Sequence, residues 1–359
     1  MQLLFENKET KEHILSKAKL ISPIITNDDT SYLFHGDNFE IMSGLLNGRK
    51  GFIDLVYIDP PFHTNQIFSI SENRANAISR KKNSTIAYCD LMTDDEFIKF
   101  MYERFILIHE LLSDEGSLYV HIDTKTGHYF KVILDEIFGL KNFKNDITRI
   151  KSNPKNFDRK AYGNEKDMIL FYSKNPQKNI WNEIKISLEE SELAAKFTKM
   201  DADGRRYTTI PLHAPGETVN GITGMAWRGM LPPMGRHWRT SPEEFDKMDK
   251  LGLIEWSKTG NPRIKKYADE HKGKKIQDIW KYKDPQTPQY PTQKNLAMLE
   301  LIIKQSSRES SVVMDCFAGS GTTLLAAAKL GRKFIGIDSS EIAVNVIKNT
   351  LNKNKILYK

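Results

Sequence analysis

The sequence predicts an α/β fold, a mostly parallel sheet covered by helices on both faces and split by a long insertion, and three observations predict it. Apolar runs end in polar or glycine-rich loops near residues 58 and 315. Amphipathic helical stretches alternate with such runs at both ends of the chain, and this alternation stops from about residue 176 to residue 285. The flanks therefore build one sheet. Its halves are 31–175 and 286–359, with 1–30 an N-terminal extension and 176–285 the inserted region.

The elements follow in order. The run Phe52–Ile58 stops at Asp59-Pro60-Pro61, where proline removes a ladder donor and forces the chain out of the sheet. A helix follows, with Phe97, Met101, Phe105, Ile108 and Leu111 at helical spacing, and then a strand, Ser117–Ile122. Met168–Tyr172 reads as another strand. After the insertion the pattern resumes with a helix over 294–305, its face made of Leu296, Leu299, Ile302 and Ile303. Strand 312–316, helix 322–330 and strand 334–338 complete the alternation.

At 359 residues, 39% hydrophobic and 28% charged, the chain can bury a full core, and it has no apolar stretch long enough to cross a bilayer. The first residues lack a cationic segment followed by a long apolar run, so a soluble, cytoplasmic protein with no membrane partner is expected. Two cysteines, Cys89 and Cys316, are too few for a disulfide framework or a cysteine-rich zinc site; both read as reduced structural thiols, and no metal is expected.

The net charge of +7 is local. Residues 151–290 hold 26 Lys and Arg against 19 Asp and Glu, whereas the rest of the chain holds 27 of each. Such a block suits a polyanion, although a merely solvated basic surface has the same composition. Within it Tyr207, Trp227, Trp238, Trp256, Tyr267, Trp280 and Tyr282 interleave with Arg205, Arg206, Arg228, Arg236, Arg239 and Arg263, broken by Gly and Pro. This describes either a recognition module or a small subdomain with aromatics in its core.

Two motifs carry chemistry. In Asp315-Cys316-Phe317-Ala318-Gly319-Ser320-Gly321-Thr322-Thr323 a strand passes straight into a helix, glycine lets backbone lie close beneath a ligand, and the helix N-terminus offers unpaired N–H groups. Thr322 could equally cap its helix. Asp338 ends the next strand, 17 residues past Gly321, where a carboxylate accepts from ribose hydroxyls in folds of this kind. With no full G-x-G-x-x-G pattern and no lysine in the turn, adenosine without a polyphosphate fits best.

The second motif is Asp59-Pro60-Pro61-Phe62. An amine on an aromatic base is a poor nucleophile because its lone pair is delocalised into the ring. A carboxylate, Asp59, and the Pro60 carbonyl could both accept from that NH₂ group and localise the lone pair toward a methyl donor, with Pro60 and Pro61 fixing the carbonyl outward. Phe62 could stack on a base turned out of the duplex. A proline-terminated strand whose Asp caps a turn is the plainer alternative.

On these residues the chain resembles the amino-methyltransferases of DNA, whose signature is [DNS]-P-P-[YFW] with an F-x-G-x-G loop for S-adenosylmethionine. Here the tetrapeptide precedes the glycine loop with the insertion between them, the order that defines the β group, and the lay-out is similar to type III modification subunits and their shorter type II relatives. Further matches are Phe34–Asn38, Gly116–His121 and Tyr290–Lys294. The resemblance implies an order-permuted, Rossmann-like methyltransferase sheet with one antiparallel hairpin, and site-specific methylation of duplex DNA with S-adenosylmethionine as cofactor. It places Asp315, Phe317, Ala318, Gly319, Ser320, Gly321, Thr322 and Thr323 around the cofactor, Asp338 on its ribose, and Asp37, Thr292 and Lys294 at its adenosine and methionine ends. Arg205, Arg206, Arg228, Arg236 and Arg239 become candidate DNA contacts. So do Arg74, Arg80, Lys81 and Lys82, in a segment, 63–90, with the polarity of a loop that either closes over DNA or is simply solvated. A second copy of the chain and a cognate restriction subunit are partners the resemblance allows.

Cytosine C5 methylation needs a cysteine nucleophile, usually preceded by proline, whereas Cys89 follows Tyr88 and Cys316 follows Asp315. The N4-cytosine enzymes use the same machinery but usually begin the tetrapeptide with Ser, so Asp59 favours adenine N6. Protein-glutamine and RNA amine methyltransferases place the tetrapeptide after the cofactor loop. A non-catalytic DNA-binding relative is the remaining alternative, and an intact Asp59 with Gly319-Ser320-Gly321 argues against it.

Overall fold

The computed structural model describes residues 2–27, 29–61, 67–71, 74–76, 85–89, 93–152, 160–285, 288 and 293–359, with backbone only between 67 and 89. Two compact units emerge: residues 1–184 with 277–359, and residues 185–276.

The first unit is built on eight strands: β1 (Tyr32–His35), β2 (Ile53–Ile58), β3 (Leu112–Ile122), β4 (Phe143–Ile150), β5 (Lys166–Ser173), β6 (Ile279–Lys281), β7 (Val312–Asp315) and β8 (Lys333–Asp338). Their spatial order is β1-β8-β7-β2-β3-β5-β4-β6. Only β5 runs against its neighbours, forming a hairpin with β4. The two halves of the chain interleave, because β7 and β8 of the C-terminal half lie between β1 and β2 of the N-terminal half.

Strand alternation sorts side chains onto two faces. Val56, Ile58, Leu118, Val120, Met314, Cys316, Ile335 and Ile337 share a core with helices α1 (Lys11–Ala18), α2 (Asn38–Gly48), α3 (Asp94–Leu111) and α4 (Gly127–Phe138), through residues such as Ile14, Met42, Phe105 and Phe130. Helices α5 (Leu296–Ser306) and α6 (Thr322–Lys329) serve the other face, and α7 (Glu341–Lys353) follows β8. A side chain at Gly336 would run into Leu324 of α6, and the Tyr119 hydroxyl meets Ser306 of α5 at 2.7 Å. Near-continuous apolar strands are what a sheet covered on both faces requires. Caps fix the helix starts. Thr93 and Glu96 form a reciprocal capping box on α3, and Asn295 accepts from the Met298 N–H on α5.

The segment 63–90, expected to be a loop, contains a three-stranded antiparallel sheet of Ile67–Ser71, Arg74–Asn76 and Thr85–Cys89. Among the described residues no helix is long and apolar enough to cross a membrane, and no His, Cys, Asp and Glu cluster could hold a metal. Cys316 is a buried free thiol.

The second unit is more ordered than its irregular sequence suggests. Strands Lys199–Met200, Arg206–Pro211, Pro262–Tyr267 and Ile254–Trp256 form an antiparallel sheet in that order, beside a hairpin of His213–Pro215 with Arg236–Trp238. Its core is Leu212, Trp227, Trp238, Phe245, Ile254 and Ile264. The indole N–H groups of Trp227 and Trp238 are satisfied by Asp246 and the Met225 carbonyl, so these two tryptophans are core rather than recognition surface.

Candidate active site

β2 and β7 are neighbours, with Leu55 opposite Val313 and Val56 opposite Met314. Both strands are parallel and so release their chains at the same edge of the sheet. Asp59 leaves β2 there, and the turn from Asp315 to Thr323 leaves β7 beside it.

The two oxygens of Asp59 are treated differently. Oδ2 takes the Lys294 ammonium at 2.6 Å, in a pair only 16% and 9% exposed. Oδ1 is shielded from solvent and has no hydrogen-bond partner among the described residues. Such an acceptor costs on the order of 1–3 kcal/mol, so its retention marks a place where a donor is received. Lys294, expected at the cofactor, is thus placed on the acid of the tetrapeptide.

The glycine turn is organised by two more acids. Asp315 Oδ1 accepts the Phe317 N–H at 3.0 Å, and its carboxylate also receives the Thr323 hydroxyl. Burial lifts Asp315 to about 7, and the charges of Asp59 and Asp338 add to that rise. Asp338 Oδ2 accepts the Gly319 N–H at 2.7 Å and Oδ1 the Ser340 N–H at 2.9 Å; burial raises this carboxyl too. Each Asp338 oxygen keeps a lone pair for a further donor. The turn is closed by Ala318 N–H to the Ile337 carbonyl at 3.1 Å and Gly321 N–H to the Ala318 carbonyl at 2.7 Å, while the Ser320 and Thr322 hydroxyls meet at 2.8 Å.

Gly321 is demanded by the fold itself: its φ is +73°, and a Cβ there would lie 2.8 Å from Ile347 of α7. Gly321 rather than Thr322 stands at the N-cap of α6, and Thr322 and Thr323 are buried in its first turn.

Asp37 caps α2, accepting the Phe39 N–H at 2.8 Å, and pairs with Arg104 at 3.2 Å. Arg104 in turn donates to Asn38 Oδ1, whose amide holds the Cys316 carbonyl at 2.9 Å. Through this chain α2 and α3 brace the start of the glycine turn. Phe62, Arg80, Lys81, Lys82 and Thr292 lie outside the described residues, and of Arg74 only the backbone is described.

Three carboxyl groups and one ammonium therefore converge on one strand edge, with an open acceptor on Asp59. A family model described as DNA methylase, for the N6 and N4 methyltransferases, matches residues 53–349. The chain belongs to this DNA methylase family. The type II methyltransferase M.EcaI of Enterobacter cloacae is 38% identical over 353 residues, covering 96% of this chain and 74% of its own. M.KpnI of Klebsiella pneumoniae is 24% identical over 97% of this chain and 87% of its own. The StyLTI Mod subunit of Salmonella typhimurium, a type III restriction-modification enzyme, is 26% identical over 83% of this chain, which spans half of that protein. Among solved structures the M1.HpyAVI–SAM complex aligns over 89% of this chain and 99% of its own, at 18% identity and a TM-score of 0.46.

In the second unit of the methylase the arginines fall into two groups. Arg205 forms a bidentate pair with Asp269 at 2.9 Å, reaches Glu270 and lies over the Tyr267 ring; Arg206 is paired with Glu190, and Arg228 with Asp246 and Asp249. Arg236 and Arg239 are exposed and form no ion pair among the described residues. They lie near His213 with Arg263, and burial together with these three cations holds His213 below the ordinary histidine range. The sequence did not single out Tyr57, His121, Arg149 or Asp167. Tyr57, His121 and Asp167 carried a signal as polar groups in or beside apolar runs; Arg149, in the mostly polar strand Phe143–Ile150, carried none.

Proposed function

We propose that this chain methylates the exocyclic amine of a base in duplex DNA, adenine N6, with S-adenosylmethionine as donor, in a restriction-modification system. The observation that carries the reading is the buried, unpartnered Oδ1 of Asp59 beside the acid-braced glycine turn. S-adenosylmethionine supplies an electrophilic methyl group on a sulfonium. The residues present suit it: Asp315 and Asp338 are carboxyls that burial makes reluctant to ionise, and a cationic ligand relieves that reluctance. Asp315, Phe317, Gly319, Ser320, Gly321, Thr322 and Thr323 would surround it, with Asp338 accepting from its ribose.

Asp59 Oδ1 then accepts one N–H of the base amine and the Pro60 carbonyl the other, drawing the lone pair out of the ring. Lys294 holds Oδ2, fixing the carboxylate plane. Most of the acceleration comes from positioning and from these preset acceptors. The exposed cations Arg236 and Arg239 suit phosphate contacts. Asp at the head of the tetrapeptide favours adenine. The type III restriction-modification StyLTI Mod subunit and the type II methyltransferases M.EcaI and M.KpnI among its relatives support the restriction-modification setting.

The test is labelled-methyl transfer to plasmid DNA followed by mass spectrometry of the nucleosides. The expected product is N6-methyladenine, and Asp59→Ala should abolish it while leaving S-adenosylmethionine binding intact. Transfer by Asp59→Ala at the parent rate overturns the mechanism, and N4-methylcytosine overturns the choice of base.

A further inference from the structure

We infer that a ring of contacts, running from Tyr57 through His121, Asp167 and Arg149 to Tyr282 and Asp284, and from the Lys283 carbonyl between them to Asn295 beside Lys294, positions Lys294 on Asp59, so that Arg149 and Asp284 are positioning residues for methyl transfer. The inference rests on the reading of Asp59 given above.

The ring lies on one face of the sheet. Tyr57, His121 and Asp167 alternate along their strands with Ile58, Ile122 and Met168, which belong to the core shared with α1–α4; they therefore point to the α5 side. Arg149 stands opposite Asp167 in register and donates to it at 3.4 Å. The Tyr57 hydroxyl meets His121 Nδ1 at 2.8 Å, and His121 Nε2 meets Asp167 Oδ2 at 3.2 Å. Lys151 donates to Asp167 Oδ1 at 2.6 Å.

The direction of these bonds follows from the chemistry. Burial counts first at Asp167 and opposes its charge, but the His121 and Lys151 hydrogen bonds outweigh it and hold the carboxyl well below the ordinary range. Burial disfavours the charged form of His121. A carboxylate only accepts, so the contact to Asp167 takes an N–H on Nε2, and in the neutral imidazole Nδ1 would accept from the Tyr57 hydroxyl.

Arg149 carries the ring out of the sheet. Its guanidinium pairs with Asp284 and donates to the Tyr282 carbonyl at 2.9 Å, pinning the stretch that follows β6. The Lys283 carbonyl in that stretch accepts the Asn295 side-chain N–H at 2.8 Å, and Asn295 is also the cap of α5. Lys294 is therefore held immediately before a helix whose cap residue, Asn295, is tied to the pinned stretch, and its ammonium reaches Asp59. Asp59 lies two residues beyond Tyr57, which closes the ring.

His121 and Arg149 are 0% exposed and Asp167 2%. Burying a charged arginine and a carboxylate is costly, and an apolar row would serve stability at least as well. What the polar row adds is a fixed geometry at Lys294, and so a fixed Asp59 carboxylate with Oδ1 left for the amine. A displacement of about 1 Å at such a point costs on the order of 100-fold in rate.

The experiment is single-turnover methyl transfer with full-length protein, alongside equilibrium binding of S-adenosylmethionine and of DNA. Asp284→Ala is expected to slow transfer by at least ~10-fold with both binding constants unchanged. Asp284→Asn, which keeps an acceptor for Arg149, should recover most of the rate. In a Lys294→Ala background Asp284→Ala should cause no further loss, because the ring then has nothing to position. If Asp284→Ala does not fold, Tyr57→Phe takes its place in the same cycle. Parent rates in Asp284→Ala and Tyr57→Phe overturn the inference, as does a loss that persists undiminished in the Lys294→Ala background. Should Asp59→Ala remain active, the reading of the site fails instead and takes the ring's role with it.

Discussion

Asp315→Asn isolates the electrostatics of the glycine turn. The carboxyl is 2% exposed, and burial, then the charges of Asp59 and Asp338, lift it from its ordinary 3.8 to about 7. A folded-state value above the unfolded one means that the native protein holds the proton more tightly. The corresponding stability is complete below about pH 4 and is lost as pH rises toward and through 7. At roughly 1.4 kcal/mol per pH unit the loss amounts to about 4 kcal/mol. Asparagine keeps an oxygen for the Phe317 N–H and the Thr323 hydroxyl but cannot ionise. In urea midpoints measured from pH 4 to pH 8 the variant should gain on the parent protein up to about pH 7 and hold that gain above it. S-adenosylmethionine should also release protons from the parent near pH 7 on binding, since a cation favours ionised Asp315, and release fewer from the variant. Parallel stability curves, with equal proton release, would refute the argument.

Two further outcomes follow from local geometry. Gly321→Ala forces a side chain into a left-handed φ of +73° and to 2.8 Å from Ile347, and should cost about 1–3 kcal/mol in urea unfolding. Arg236→Ala and Arg239→Ala should each weaken DNA binding irrespective of sequence and lower the slope of log affinity against log salt by about 1, whereas Arg205→Ala, whose guanidinium is already held by Asp269 and Glu270, should leave that slope unchanged.

How much of this was legible in the sequence depends on how local each cause was. The sheet halves could be read because strands buried on both faces, such as Ile53–Ile58 and Lys333–Asp338, are nearly continuous apolar runs. The strands within 63–90 escaped because they are only three to five residues long and the basic, polar run Arg80–Ser84 between them reads as loop. The second unit looked irregular because its strands are two to six residues long, shorter than a periodicity window. Asp59 and the glycine turn stood out since Pro and Gly report backbone constraints directly. Lys294 pairs with Asp59 across more than two hundred residues of chain, and no spacing rule foresees that. His121 and Asp167 did leave a trace, as ionisable residues in or beside apolar runs, whereas Arg149 sits in the mostly polar strand Phe143–Ile150 and left none. Their roles appear only once the strand order is known, because each partner is contributed by a different strand.

The order of motifs along the chain matters less to this site than the adjacency of β2 and β7. Parallel neighbours present their C-terminal ends at one edge whatever the connection between them, so the acid and the glycine turn meet although the second unit is spelled out between them. The constraint falls instead on how the chain re-enters the first unit. It does so through β6, an edge strand of three residues registered on β4 with Trp280 opposite Arg149. Three ladder positions resist slippage weakly. The buried Arg149, gripping Tyr282 and Asp284 just beyond, supplies the missing register.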